Sequence, residues 1–371
     1  MRRAILLFVL LFTFSFPAGA SAGVALAECS SKDDEAIAAK SMEGQAKIFE
    51  RRYGEAKKLF EALVKEYPDS PAGAFGLMAV AEVQMLERED FHLEGDFLAA
   101  ARDGNALVKQ ILQCYHPSEW QLFLSGSLLG LDGFFKARKD QWWEAYVQGG
   151  KSRQLFRRVK EMDPSFIDAD FGLGMYLYWR SVFTKDLWFL KMFPDKRAEG
   201  IATVEKVARE GRLAKDLARA NLIIMYFEER RFADAKKLLD EYLARYPNNV
   251  ILKRLMGKVM IALKQYDSAV DQFRGIISID SAITQPHYFI GVALVLKNDP
   301  ARFEEAKREL NEFIRIQGGR YWPAYAHYWL GRLAEARGNK EEATAEYKTA
   351  VSLEPKIQDA VKRIRGLGGG V

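Results

Sequence analysis

The segment KIQDAVKRIRGL, residues 356–367, sets Ile357, Val361 and Ile364 at helical spacing with charged side chains between them, the pattern of a helix with one buried face. Helical patterning continues along most of the chain, and parts of it repeat. RRYGEAKKLFEALVKEYPD at 51–69 and RRFADAKKLLDEYLARYPN at 230–248 are identical at eight of nineteen positions, 179 residues apart. Between residues 216 and 357, Ala235, Ala269, Ala306 and Ala343 stand 34, 37 and 37 residues apart, each opening a second helix. A period of this size predicts stacked helical hairpins, because each hairpin has apolar faces that only its neighbours can bury. The polar outer face of residues 356–367 suits the end of such a stack.

The most regular unit is AYAHYWLGRLAEARGNKEEATAEYKTAVSLEPK, Ala324 to Lys356. Leu330-Gly331 sits in the middle of its first helix, Ala343 and Ala350 supply small residues in the second, Tyr347 fills the gap above the crossing, and Pro355 ends the unit. Met256-Gly257, Ala269 and Phe273 repeat this pattern, as do Tyr226, Ala235 and Pro247, and Gly44, Ala56, Phe60 and Pro68. Small residues let two helix backbones approach, an aromatic ring plugs the space, and proline cannot continue a helix. These units resemble the tetratricopeptide repeat family. The resemblance implies an all-α, right-handed solenoid of antiparallel helix pairs, about eight hairpins in all. Residues 71–215 depart from the 34-residue period and predict enlarged central units.

Four segments follow. Residues 1–27, with Arg2 and Arg3, an apolar run and small-residue cleavage sites, read as an export leader. Residues 36–215 hold the irregular hairpins, 216–357 the regular array, and 358–371 a capping helix with a loose glycine-rich tail. Cleavage is expected after Ala22 or Ala27. The apolar run from Ala4 to Phe16 is short of the roughly 20 residues a bilayer-spanning helix needs. The expected location is therefore the periplasm of a bacterial cell envelope, with outer-membrane association as the alternative. A net charge of +5, with both signs mixed along the chain, gives no sign of nucleic-acid binding. The two cysteines, Cys29 and Cys114, could pair in an oxidising compartment; Cys29 could instead carry a lipid, although Glu28 stands where a lipidation signal wants a small residue.

The chain's aromatic residues concentrate in FGLGMYLYWRSVFTKDLWFLKMFPDKRAEG, residues 171–200. Its first half reads as a repeat helix packed in the core. The second half falls where the family has a tight turn, so Phe183, Trp188, Phe189 and Phe193 are surplus to the hairpin. They could cover the solenoid surface, meet a protein partner, or rest in a membrane interface; Arg180, Lys185, Asp186 and Lys191 exclude a simple membrane span.

No sequence motif for catalysis, phosphate binding or metal ligation is present, and His92, His116, His287 and His327 lack paired ligand spacing. No cofactor is expected. In the tetratricopeptide family first helices line a concave groove. Carrying that pattern over selects Arg254, Lys258, Tyr288, Tyr325, Tyr328 and Arg332 as a basic, aromatic peptide-binding groove. The implied function is a non-enzymatic scaffold for a protein or peptide. The alternatives are a carrier of a lipid or hydrophobic ligand, using a pocket lined by Trp142, Trp143, Tyr178 and Trp179, or an accessory subunit of an envelope enzyme.

Overall fold

The computed structural model of the chain describes residues 33–184 and 194–368; the side chain of Phe183 also falls outside the description. The described residues form seventeen α-helices, with no strand among them. They run α1 (Asp34–Phe49), α2 (Tyr53–Glu66), α3 (Ala72–Arg88), α4 (Glu94–Leu112), α5 (Glu119–Arg138), α6 (Trp142–Met162), α7 (Asp168–Thr184), α8 (Arg197–Glu210) and α9 (Lys215–Glu228). The series continues with α10 (Phe232–Arg245), α11 (Val250–Ala262), α12 (Tyr266–Ile279), α13 (Gln285–Lys297), α14 (Phe303–Ile316), α15 (Tyr321–Ala336), α16 (Lys340–Leu353) and α17 (Gln358–Gly366). No described helix is long and apolar enough to cross a membrane.

Hairpins form because the turns and crossings repeat. One residue of left-handed backbone marks the turn after α1 (Arg51, φ 62°), α5 (Asp140, φ 58°), α9 (Arg230, φ 58°), α11 (Lys264, φ 61°) and α13 (Asn298, φ 57°). After α15 that residue is a glycine, Gly338 at φ 75°. At the crossings a glycine faces a ring sixteen positions later. A Cβ added to Gly44, Gly257 or Gly331 would stand 2.4, 2.4 or 2.5 Å from Phe60, Phe273 or Tyr347. In the α13–α14 pair the partner of Gly291 is Leu310, nineteen positions on, the spacing lengthened by a 3₁₀ turn at Pro300–Arg302.

The chain divides into two compact units, one holding residues up to Gln84 and from Phe91 to Met225, the other holding Met85–Asp90 and everything from Tyr226. The division falls inside α9, ten residues beyond the boundary expected at 215. In the first unit α5 and α6, 20 and 21 residues long, form the longest hairpin, which accounts for the broken period. Ser118 caps α5 reciprocally with Gln121 and donates to Asp34 at the start of α1 (3.1 Å). The Arg212 guanidinium meets the Glu35 carboxylate of α1, while Asp168 accepts the backbone N–H groups of Arg212 and Ala214 at 2.9 and 2.8 Å. The first half of the aromatic segment is core, as expected: Tyr178 is fully buried, its hydroxyl 3.4 Å from the Met225 carbonyl.

The second unit is built around stacked rings. Phe273 and Phe289 lie parallel with centroids 5.1 Å apart, and Tyr288 meets Phe313 and Trp322 at 5.3 and 5.4 Å. The last helix, α17, closes this core: Ala360 and Ile364 are fully buried beside Tyr347 and Ala343, and Ile357 is buried at its start. Arg363 and Arg365 in its last turn sit favourably at the negative end of the helix dipole.

Candidate functional site

All six residues expected to line a groove lie in the second unit, on α11, α13 and α15. They divide into a closed part and an open part. Arg254 of α11 is 7% exposed, which corrects the expectation that it faces an open groove. Its guanidinium donates to the carbonyls of Glu87 (3.1 Å) and Leu86 (2.8 Å) and lies 3.4 Å from the Glu89 carboxylate. Gln285 of α13 donates to the Arg88 carbonyl at 2.7 Å. These carbonyls belong to the last turn of α3, where a helix leaves four acceptors unsatisfied and carries its negative dipole end. Residues 86–89 thus engage the side chains of Arg254 and Gln285. Periodicity carries no sign of this contact, since Arg254 lies 167 and 168 positions from Glu87 and Leu86.

Lys258, one turn after Arg254, stands 4.9 Å from the centre of the Phe289 ring. Burial, with Arg254 close by, holds its ammonium below the usual lysine pKa. Tyr288 is also buried rather than groove-lining; its hydroxyl accepts from Trp329 Nε1 at 3.0 Å, and burial pushes its pKa up.

The open part is made by α13, α15 and α17. Val295, Leu296 and Asn298, with Arg332, Glu335, Ala336 and Arg363, line a cavity of about 390 Å³. Its charges are unevenly satisfied. Glu335 accepts from Arg363 Nη1 (2.5 Å) and from the Tyr347 hydroxyl, while Asp359 accepts from Tyr328 (2.5 Å) and Arg363 Nε (2.9 Å). The Tyr328 and Arg363 hydrogen bonds hold the Asp359 carboxyl below its usual pKa, so it stays ionised. Arg363 is committed to both carboxylates. Arg332 has only the Tyr328 hydroxyl, at 3.3 Å, and the face of Trp329, 5.6 Å away; among the described residues no carboxylate lies within ion-pair distance of it. Tyr325, on the same helix, is half-buried against Tyr321 (centroids 5.0 Å apart), its pKa raised to about 12 by burial and by Tyr321.

Glu335, Asp359 and Arg363 were missed by sequence reasoning. The charged stretch after Pro355 reads as a solvated cap, and nothing in its periodicity reveals that two of its charged side chains reach back to α15. The other candidates fare differently. Trp188, Phe189 and Phe193 lie outside the described residues, as does the side chain of Phe183. Of the proposed carrier pocket, Tyr178 is fully buried and Trp143 is 46% exposed, and neither of the two cavities described is lined by any of the four residues. His287 and His327 are absorbed by Glu309 and Glu346, each at 2.7 Å in successive hairpins, and no metal-binding cluster occurs among the described residues.

Three stretches match family models described as tetratricopeptide repeat: residues 25–70, 226–282 and 324–357. Among curated proteins, no sequence matches the chain. Among solved structures the chain resembles the Cut9–Hcn1 hetero-tetramer of the APC/C, with a TM-score of 0.53 and 13% identity over 90% of this chain and 54% of that one. It is also similar to the Pseudomonas aeruginosa protein pilF (TM-score 0.42, 17% identity, 65% of this chain and 97% of that one). A further similarity is to YrrB, described as a TPR protein with an unusual peptide-binding site (TM-score 0.37, 16% identity, 57% and 97%). At these identities the likeness is one of fold.

Proposed function

We propose, from the premise that this chain is a tetratricopeptide-repeat protein, that it is a scaffold binding a protein or peptide partner through the open end of its second unit. Repeat arrays of this kind generally mediate protein or peptide binding, because their stacked first helices present a continuous surface. One observation carries the placement: Arg332 borders the 390 Å³ cavity with no carboxylate of its own, while neighbouring Arg363 has two. A partner's acidic side chain or C-terminal carboxylate on Arg332 would gain charge-assisted hydrogen bonds. Tyr328, whose hydroxyl Arg332 already touches, would offer ring surface beside it.

The site is shorter than the family pattern implies. With Arg254 and Gln285 engaged by residues 86–88, the partner is read by α13, α15 and α17 alone. The expected setting is the bacterial cell envelope, a reading supported by the leader-like residues 1–27.

Photo-crosslinking in cells tests the reading. A photoreactive residue in place of Ala336, exposed in the cavity wall, should capture a discrete protein. One in place of Lys348, exposed on α16, should not. Equal capture at both positions, or none at Ala336, would remove the support for this surface.

A further inference from the structure

We propose that the outer face of α6 is the interface of a homodimer, in which two copies of this chain pack α6 against α6, antiparallel, about a two-fold axis level with Val147 and Gln148. The surface belongs wholly to the first unit and uses no residue of the partner site.

One side of α6 faces the core: Ser152, Leu155, Phe156 and Val159 are buried. At about 100° per residue, Trp143, Tyr146, Val147, Gly150 and Gln154 fall on the opposite side. There Trp143 and Tyr146 stack, centroids 6.0 Å apart, while 46% and 67% exposed. Aromatic residues of this size on a surface are characteristic of interfaces. Just beyond them stand Gly149 and Gly150, inside a 21-residue helix that glycine weakens. The chain's own packing does not require these two. An added Cβ would meet nothing within 4 Å at either, whereas at Gly126, Gly130 and Gly133 of α5 it would come within 3.0, 3.1 and 3.2 Å of α6.

Charge identifies the occupant. Glu144 and Lys151 are exposed on one flank of this face, two helical turns apart. That separation, roughly 10.5 Å along the axis, is too long for them to pair with each other, and among the described residues neither makes an ion pair. Arg157 and Glu161, one turn apart on the same helix, reach 4.0 Å. A two-fold axis perpendicular to two antiparallel helices keeps each flank on its own side. With that axis midway between Val147 and Gln148, Glu144 comes level with the partner's Lys151, and Lys151 with the partner's Glu144. The same operation sets Tyr146 level with the partner's Gly149, and Trp143 between the levels of the partner's Gly150 and the partner's Gln154. One register therefore seats the rings where side chains are missing and completes both charge pairs, which is what a self-complementary face requires. Packed helix axes lie about 8–10 Å apart, and the two glycines leave room there for the rings.

Sedimentation equilibrium of the full-length protein expressed with its own leader, at micromolar concentrations, tests this. The expected mass is twice that of the single chain. Gly150→Leu should keep the far-UV circular dichroism of the folded protein, because the space above Gly150 is open, and should be monomeric, because the leucine fills the notch. Glu144→Lys and Lys151→Glu should each raise the dimer dissociation constant about tenfold, since each turns two attractive pairs into two repulsive ones. Combining them exchanges the charges and should return the constant to near the wild-type value, which no contact within one chain would do at this spacing. A monomeric wild type, a dimer that Gly150→Leu leaves intact, or a double variant no better than the single ones would each overturn the proposal.

Discussion

Replacing Gly257 by alanine tests the packing rule on which the hairpins rest. The added Cβ would lie 2.4, 2.6 and 2.9 Å from three atoms of the Phe273 ring. Carbon atoms pack best at about 3.5–4.0 Å, so the ring must move by an ångström or more. Phe273 is fully buried and stacked on Phe289 (centroids 5.1 Å apart), which leaves it no free direction. Overpacking of this kind costs about 1–3 kcal/mol, and three contacts under 3 Å place this case near the upper end. Alanine returns about 1 kcal/mol in a helix interior, so the net loss is about 2 kcal/mol. Gly275 on α12 is the control: its added Cβ would meet only Lys253 Nζ at 3.9 Å. Gly275→Ala should therefore gain about 0.5–1 kcal/mol. The propensity contribution cancels between the two variants, leaving a gap of about 3 kcal/mol due to the ring. Urea titrations followed by far-UV circular dichroism read it as opposite shifts of the midpoint. Phe273→Leu in the Gly257→Ala background should recover part of the loss. If Gly257→Ala were as stable as Gly275→Ala, close approach at the crossings would not be what holds the hairpins.

Other outcomes follow from single features. Lys264 holds a left-handed backbone at φ 61°, so Lys264→Gly should raise stability by about 1 kcal/mol; Gly338→Ala, at φ 75° with open space around it, should lose a similar amount, both read by denaturant midpoint. Glu82 is buried, and burial raises its carboxyl pKa above the ordinary 4.5 although Arg138 Nη1 donates to it at 2.7 Å. A raised carboxyl pKa means that stability is full below 4.5 and falls as pH climbs through the folded-state value. Stability measured against pH should show that decline in the wild type and lack it in Glu82→Gln; an identical profile in the two would show that Glu82 ionises without cost. Arg332→Gln should keep the wild-type melting curve, because Arg332 has only one weak polar partner to lose and the neutral amide adds no charge beside Glu335.

The repeat architecture was legible because its physical causes are local. The glycine and the ring at each crossing stand a fixed sixteen positions apart, and Gly44–Phe60, Gly257–Phe273 and Gly331–Tyr347 can each be read without a structure. The α13–α14 pair shows how that reading degrades. A three-residue 3₁₀ turn shifts the partner of Gly291 to Leu310, a leucine where the pattern wants a ring. The candidate site was half legible. Tyr328 and Arg332 follow from their register on α15, a local property. The closure of Arg254 by Leu86 and Glu87, and the approach of Arg363 and Asp359 to α15, depend on which distant helix ends meet, and periodicity carries no such information. Positive φ at Arg51, Arg230 and Lys264 was hidden for a related reason: the turns demand a left-handed residue, but the chain supplies one without glycine's signature.

The account rests on a partner engaging Arg332, and the affinity of the crosslink-identified partner for wild type and for Arg332→Gln tests that most directly. Loss of a buried arginine–carboxylate contact costs about 2 kcal/mol or more, so the variant should bind at least about tenfold more weakly with its fold intact. Equal affinities would contradict the assignment of the α13–α15–α17 cavity as the binding site.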